Sequence, residues 1–429
     1  LPDSLLVRGG RVLDATGERT ADVRVEDGVV TAVGSGLDAD RILDADGCVV
    51  APGLVDLHTH LREPGHEEAE TIETGARAAA LGGYTALVAM PNTEPPLDDP
   101  AVVASVLGAG AKSVCDVHVA GCITKGRAGT ALAPMGELHA LGVRLFTDDG
   151  ACVESAGMMR RALEYAQSLP GAVIGQHAED PSLCAGGHMH EGEWSSRLGI
   201  AGRPAVAESS VVARDCQLVA LTGTPLHVLH VSTAAAIELL RDAKQRGLPV
   251  TAEVAPHHFT LTDAACASFD PAFKVHPPLR SADDVEAVQR GLADGTIDAI
   301  ATDHAPHALE TKERSFEEAP PGMLGLETAL ALTLTELVAS GVLRLADALA
   351  LLSWRPAAVL GLTEHGGPVV PGRPAHLAVI DPDATWTVDP ARLASRSRNT
   401  PYTGRTLTGR VRHTILAGEP VVVDGEAQR

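Results

Sequence analysis

Pro52-Gly53-Leu54-Val55-Asp56-Leu57-His58-Thr59-His60-Leu61-Arg62 is the stretch on which the architecture turns. Before it the chain alternates in period two, in runs such as Asp22-Val23-Arg24-Val25 and Val29-Val30-Thr31-Ala32-Val33, broken by Gly9-Gly10, Asp27-Gly28 and Asp46-Gly47. That is the pattern of short antiparallel strands joined by tight turns. After Pro52-Gly53, short apolar runs alternate with longer Ala- and Leu-rich stretches. The spacing predicts strands at 54–60, 85–90, 116–119, 143–147, 172–177, 226–231, 250–254 and 297–303, with helices such as 73–81, 157–168, 234–246 and 283–292 between them. Eight strand–helix alternations over about 300 residues is the count of a (β/α)8 barrel. Beyond about residue 360 the period of two returns, at 375–380, 406–408, 411–416 and 420–423. Each flank is small for an independent domain. The expected organisation is therefore an α/β TIM barrel over 53–360 beside one β-sandwich built from both chain ends, 1–52 and 361–429.

The composition excludes several functions. With 429 residues, 45% of them hydrophobic, the chain has apolar content enough for a large core. Its 43 Gly and 28 Pro are dispersed, which excludes collagen-like and linker-like classes. Fifty-six Asp and Glu against 34 Lys and Arg leave a formal charge of −22, which speaks against nucleic acid and anionic membranes as partners. Aromatics at 3% leave little for stacking on bases. No apolar run reaches the roughly 18 residues of a membrane span, and Leu1-Pro2-Asp3-Ser4 does not open like a signal peptide. Seven Cys, with no C-x-x-C pair, are read as reduced, mostly buried thiols in the cytoplasm.

Chemistry gathers at the strand ends. On a strand, residues i, i+2 and i+4 face one way. His58, His60 and Arg62 would then point into the lumen at the C-terminal end, where barrel enzymes carry their reactive groups. His177 ends the apolar run 172–176, His230 ends 226–229, Asp303 ends 297–302, and Asp148-Asp149 follow 143–147. Metal-ligand residue types at the ends of five strands point to a metal-dependent enzyme. Four His and two Asp exceed the three protein ligands of a mononuclear catalytic zinc. Two metals about 3.5–4 Å apart, bridged by one carboxylate and a hydroxide, would use them all. Periodicity leaves open which of Asp148 and Asp149 bridges, because they face opposite ways.

The segments DLHTHLREPG (56–65), MPNT (90–93), FTDDG (146–150), QHAED (176–180), HVLHVST (227–233), KVHPPLR (274–280), ATDHAPH (301–307), PGMLGLET (321–328) and NTPY (399–402) resemble the amidohydrolase superfamily and, within it, the class I bacterial dihydroorotases. The resemblance runs over nearly the whole chain. It implies a zinc-dependent hydrolase that interconverts N-carbamoyl-L-aspartate and L-dihydroorotate in pyrimidine biosynthesis. It implies that His58, His60 and Asp303 hold one zinc, that His177 and His230 hold a second, and that Asp149 bridges them. Asp303 is then also the catalytic acid–base. Arg62, Asn92, His276, His307, Pro321 and Gly322 fall at the family's substrate-binding positions. Homodimers and complexes with aspartate transcarbamoylase are both within the family's range.

Two departures stand out. His276 occupies the family's usual Asn position, bringing a titratable ring that should alter affinity or its pH dependence. Pro321 stands where Phe is usual and has no amide to donate, so any backbone contact falls to Gly322 N–H or a carbonyl. Relatives such as hydantoinases bridge their metals with a carbamylated lysine. The five lysines, 112, 125, 244, 274 and 312, all lie outside the fourth strand, which favours dihydroorotase over those relatives. The alternatives are another cyclic amidase and a catalytically silent scaffold for the transcarbamoylase. The charged loop 304–322 is read as a lid. His188-Met189-His190 is read as a solvated loop, and His118, His227, His304, His365 and His376 receive no role. His257-His258, after the seventh strand, have a place from which to line the pocket.

Overall fold

A computed structural model describes residues 4–428. The expected lack of a leader therefore falls largely outside the described residues. None of the described helices is long and apolar enough to cross a membrane.

The two flanks pair. The strand Val49–Pro52 lies antiparallel to Leu377–Thr387, with Leu377 opposite Pro52 and Ile380 opposite Val49. They sit inside a seven-stranded sheet that takes Arg11–Asp14 and Gly17–Thr20 from one flank and Thr406–Leu416, Glu419–Val423 and Glu426–Ala427 from the other. A four-stranded sheet of Val29–Gly34, Asp22–Glu26, Leu5–Arg8 and Arg41–Asp44 packs on it. Leu5, Val7, Val23 and Val25 of the smaller sheet share one core with Val12, Val50, Leu377, Val379 and Ile415 of the larger. The alternation in the sequence is this division between an inner apolar face and an outer polar one.

Eight parallel strands form the barrel: Leu54–Thr59, Tyr84–Ala89, Asp116–Val119, Leu145–Phe146, Val173–Gln176, Leu226–Val228, Val250–Val254 and Ala299–Ile300. Bridges between Gly121 and Phe146 and between Thr59 and His304 close the ring. The fourth and eighth strands are shorter than their apolar runs, because the chain leaves the ladder at 147–149 and 301–303 to turn side chains into the lumen. The expected helices occur within two residues of their bounds at Ile72–Leu81, Ala156–Ala166, Ala234–Gln245 and Ala282–Ala293. Thr71, Ser155, Thr233 and Ser281 cap them by accepting a backbone N–H in the first turn.

Between the fifth and sixth strands the chain makes a long excursion that ends in the helix Val206–Thr222. Here the structure corrects one expectation. Residues 188–190 are not a solvated loop: Met189–His190 pairs with Gly202–Arg203, and both side chains are buried. Met189 joins a cluster with Ile200, Val275 and Phe316, which supplies the apolar surface that holds the segment down. All seven cysteines are free thiols, six of them buried.

Two buried carboxylates hold the strand ends. Asp56 accepts the Thr302 N–H at 2.7 Å and the hydroxyls of Thr302 at 2.6 Å and Thr59 at 2.5 Å. Glu208 accepts the N–H groups of Ser232 at 3.0 Å and Thr233 at 2.9 Å, and both hydroxyls. The neighbours of these loops, His230 at φ 34° and Asp303 at φ 47°, are left-handed, as is Arg62 at φ 61°. Such conformations cost about 1–3 kcal/mol each and persist where the surroundings over-determine them. Asp56→Ala would leave the Thr302 N–H and the Thr59 hydroxyl buried without their acceptor, at about 1–3 kcal/mol for each unsatisfied group. The expected outcome is a lower denaturant midpoint with an unchanged slope, corresponding to a loss of at least ~2 kcal/mol.

Candidate metal centre and substrate cleft

The histidines predicted to share a centre do share one. His58 and His60 end the first strand, and both Nε2 atoms face Asp149 Oδ2, at 3.3 and 3.5 Å. The same two atoms lie 3.6 and 3.3 Å from Asp303 Oδ1. On the other side, His177 Nδ1 and His230 Nε2 lie 3.3 and 3.4 Å from Asp149 Oδ1. Each oxygen of Asp149 therefore faces its own pair of imidazoles. Asp148, left open by periodicity, turns away: its Oδ1 accepts the N–H groups of Ile123 and Thr124, both at 2.9 Å.

Two features of this set fit divalent cations. First, His58 Nε2 is buried and has no hydrogen-bond partner, although it faces two carboxylates. Second, the cluster calls for positive charge. Burial pushes the Asp149 carboxyl up, yet His58 and the bonds from His177 and His230 hold it well below the usual carboxylate range. Burial opposes charge on His58 and His177, but the Asp149 charge dominates at His58 and raises it well above its ordinary value. Hydrogen bonds to Asp149 and Glu179 bring His177 up to about 9. Burial prevails at His60, which is lowered. Protons and metals compete for such donors, so a cation at either pair supplies the charge that protons otherwise bring.

The far nitrogens of three of the histidines are occupied, two by carboxylates with no role assigned from sequence and one by Asn92, expected there as a substrate contact. Glu253 Oε1 lies 2.7 Å from His58 Nδ1, and its other oxygen lies 3.1 Å from His227 Nε2. Glu179 Oε2 lies 3.3 Å from His177 Nε2 and accepts from Arg203 at 3.0 Å. Asn92 Oδ1 lies 2.8 Å from His60 Nδ1. Carboxylate or amide oxygens here direct the ring proton outward and the lone pair inward. The available signal for Glu253 was a lone acid in the buried run Val250-Thr251-Ala252-Glu253-Val254. His257 Nε2 is buried, unpartnered and 3.9 Å from Asp303 Oδ2, so it approaches the centre without lining the cleft.

A cleft of about 230 Å³ opens onto this cluster. His60, Arg62, Asn92, Asp149, His177, His230, His276, Asp303, His307, Pro321 and Gly322 line it, joined by Arg127, Gly150 and Ala305. His58 lies behind this wall, fully buried. Arg62 donates Nε–H to Pro306 O at 3.0 Å, and its Nη2 lies 3.4 Å from His307 Nε2. Asn92 commits its oxygen to His60, which leaves its amide N–H groups for a ligand. A larger cavity of about 620 Å³ beside Trp386 and Arg410 contains none of these groups.

The loop 304–322 is held by a network of hydrogen bonds. The backbone groups of Pro321 and Gly322 are committed within the protein. Pro321 O pairs with His307 Nε2 at 2.8 Å, Gly322 N–H donates to Lys274 O at 2.8 Å, and Gly322 O accepts from Lys312 Nζ and Asn399 Nδ2, both at 3.0 Å. They form a wall of the cleft, and a Cβ at Gly322 (φ 141°) would sit 2.8 Å from both Ala305 Cβ and His307 Nε2. The loop 304–322 is also fastened, not free: Asn399 additionally binds Ala305 O at 3.0 Å and the His307 N–H at 3.1 Å, and Lys312 binds Pro320 O at 2.9 Å. Asn399 is the working residue of the NTPY segment, to which the sequence reading gave no role.

Comparisons with known proteins show the family and the fold. A family model described as Dihydro-orotase-like matches residues 47–236, and one described as Amidohydrolase family matches 261–422. A dihydroorotase of Pelotomaculum thermopropionicum is 50% identical over 424 residues, 98% of this chain and 99% of its own. One of Streptomyces coelicolor is 50% identical over 426 residues, again 98% and 99%. One of Mycobacterium tuberculosis is 49% identical, covering 99% of both. Among solved structures, an L-hydantoinase (dihydropyrimidinase) of Arthrobacter aurescens matches with a TM-score of 0.89 and 28% identity, over 100% of this chain and 98% of that one. A dihydropyrimidinase of Brevibacillus agri, at 24% identity and a TM-score of 0.86 over 99% and 96%, shares the fold.

Loss of an outer partner of a metal-binding histidine typically costs about 10–100-fold in metal affinity. Glu253→Gln is expected to release metal at a correspondingly lower chelator concentration than the parent, as read by metal content after dialysis.

Proposed function

The chain belongs to the dihydroorotase family and is a hydrolase of cyclic amides, and from that premise we propose that it interconverts L-dihydroorotate and N-carbamoyl-L-aspartate in pyrimidine biosynthesis, with two zinc ions. The observation that carries this reading is Asp149, each oxygen facing two imidazoles, in one cleft with Arg62.

His58, His60 and Asp303 would hold one ion and His177 and His230 the other, with Asp149 between them. Bound there, the ions would lower the pKa of a water and polarise the ring carbonyl. The chain's own groups do the rest. Arg62 pairs its guanidinium with the substrate carboxylate, a planar match that suits Arg better than Lys. Asn92 adds an amide N–H, while His276 and His307 bound the ring. In ring opening, a water oxygen adds to the carbonyl and the ring C–N bond breaks. Asp303 takes the water proton and delivers it to the departing nitrogen. Ring closure runs the same transfers in reverse.

Charge supports an anionic substrate only locally. The net charge of −22 repels it at range, but screening over about 8–10 Å limits that field, and Arg62 and Arg127 line the cleft. A hydantoinase reading draws on the likeness to the L-hydantoinase, but an uncharged ring leaves Arg62 nothing to pair with.

The direct experiment follows dihydroorotate ring opening by loss of ultraviolet absorbance, with hydantoin and allantoin in parallel. Zinc-loaded protein should open dihydroorotate alone, and chelator-stripped protein should be inactive. Asp303→Asn should lower kcat by about 10²–10⁴-fold. Activity confined to hydantoin or allantoin would sink the assignment. Arg62→Ala should reduce kcat/KM about 10–100-fold, the value of a charge-assisted bond of about 1.5–3 kcal/mol, mostly through KM. Burial, then the nearby Arg203, brings His276 down to about 3. The ring is therefore neutral throughout the neutral range, and His276→Asn should change KM while leaving the shape of the pH–rate profile between pH 6 and 9 as it was. An ionisation that disappears with His276 would contradict this.

A further inference from the structure

A second cluster of metal-ligating side chains lies at the opposite end of the barrel, where the strands begin. Asp116 opens the third strand, His365 follows the helix Trp354–Leu360, and His376 precedes the sandwich strand Leu377–Thr387. One donor atom from each lies within 4.8 Å of the other two. We propose that Asp116, His365 and His376 form a binding site for a divalent transition-metal cation such as Zn²⁺, separate from the catalytic centre.

Several observations support this. His365 Nε2 is 3.0 Å from Asp116 Oδ2, and the His365 and His376 rings lie 4.2 Å apart at 31°. In a tetrahedral zinc site, with bonds of about 2.0–2.2 Å, donor atoms sit roughly 3.3 Å apart. The cluster reaches that spacing with small side-chain shifts. Both histidines are buried, while the Asp116 side chain is 49% exposed and offers a path of entry. His118, two residues along the same strand face, presents its ring edge-on to His365 at 6.0 Å, with Nε2 buried and unpartnered. It is a candidate fourth ligand, as is water.

The surroundings suit the ring protons. Thr85 Oγ1 lies 3.2 Å from His365 Nδ1 and can accept its proton once Nε2 binds a metal. His376 Nδ1 accepts the Ala417 N–H at 3.2 Å, so binding through His376 Nε2 moves a proton to Nδ1 and displaces that bond. That lost bond is a cost of binding that the ion offsets. Nitrogen and carboxylate donors of this kind take zinc, cobalt or nickel. An ion here would tie the start of the third barrel strand to the turn near 365 and to the lead-in of the sandwich.

The test is zinc content per chain after equilibrium dialysis of the full-length protein, with dihydroorotate turnover measured on the same samples. His376→Gln and Asp116→Asn should each bind one zinc fewer than the parent and turn over dihydroorotate at the parent rate. The zinc-dependent rise in unfolding temperature should shrink in both. Asp116→Asn, at a half-exposed position, guards against a folding defect in the other variant. Equal zinc content in all three proteins, or a zinc loss that takes turnover down with it, overturns the proposal.

Discussion

Burying four imidazoles and two carboxylates together is the demand to which the rest of the structure answers. Charged and polar groups leave water at a cost of several kcal/mol each unless every donor and acceptor finds a partner. Here the partners come in layers. Asp149 and Asp303 face the imidazoles from within, and Glu253, Glu179 and Asn92 engage three of them from outside. A further layer, Asp56 and Glu208, holds the backbone that carries Asp303 and His230 in left-handed conformations. Removing any layer leaves the one inside it free to relax to ordinary backbone or to a different ring orientation.

The barrel explains why these residues converge. Parallel strands place their C-terminal ends at one rim, so a ligand at the end of each strand needs only a turn of the backbone to enter the lumen. The sandwich has a different task. It gives both chain ends a common core, and Asn399 reaches back from the C-terminal flank to fasten the loop that walls the cleft. The two parts are coupled through the site as well as through their shared apolar contact.

The electrostatics separate by distance. A strongly acidic exterior surrounds a cleft whose nearest cations are Arg62 and Arg127, and screening by salt keeps the two scales apart. Burial then decides which groups titrate. His276 and His307 are driven to about 3 and about 2 and stay neutral, so a histidine in place of the family's asparagine adds shape and a hydrogen-bonding edge without adding charge.

Much of this was legible in the chain. Apolar runs and their spacing determined eight strands and the helices between them, because burial of one face imposes its period on the sequence. Residue type at the strand ends determined the cluster His58, His60, Asp149, His177, His230 and Asp303, with family resemblance choosing Asp149 over Asp148. Tertiary structure alone decided the rest. Glu253 and Arg127 join the site through contacts between segments distant in sequence, and Glu179, two residues from His177, gains its role only when the fold also brings Arg203 to it. Pro321 and Gly322 stand at the cleft in a fixed position because His307, Lys274, Lys312 and Asn399, brought together only by folding, hold their backbone groups. The same holds for Asp116, His365 and His376: periodicity reports which face of a strand is buried, but only the closed barrel and its sandwich bring three such distant segments within reach of one another.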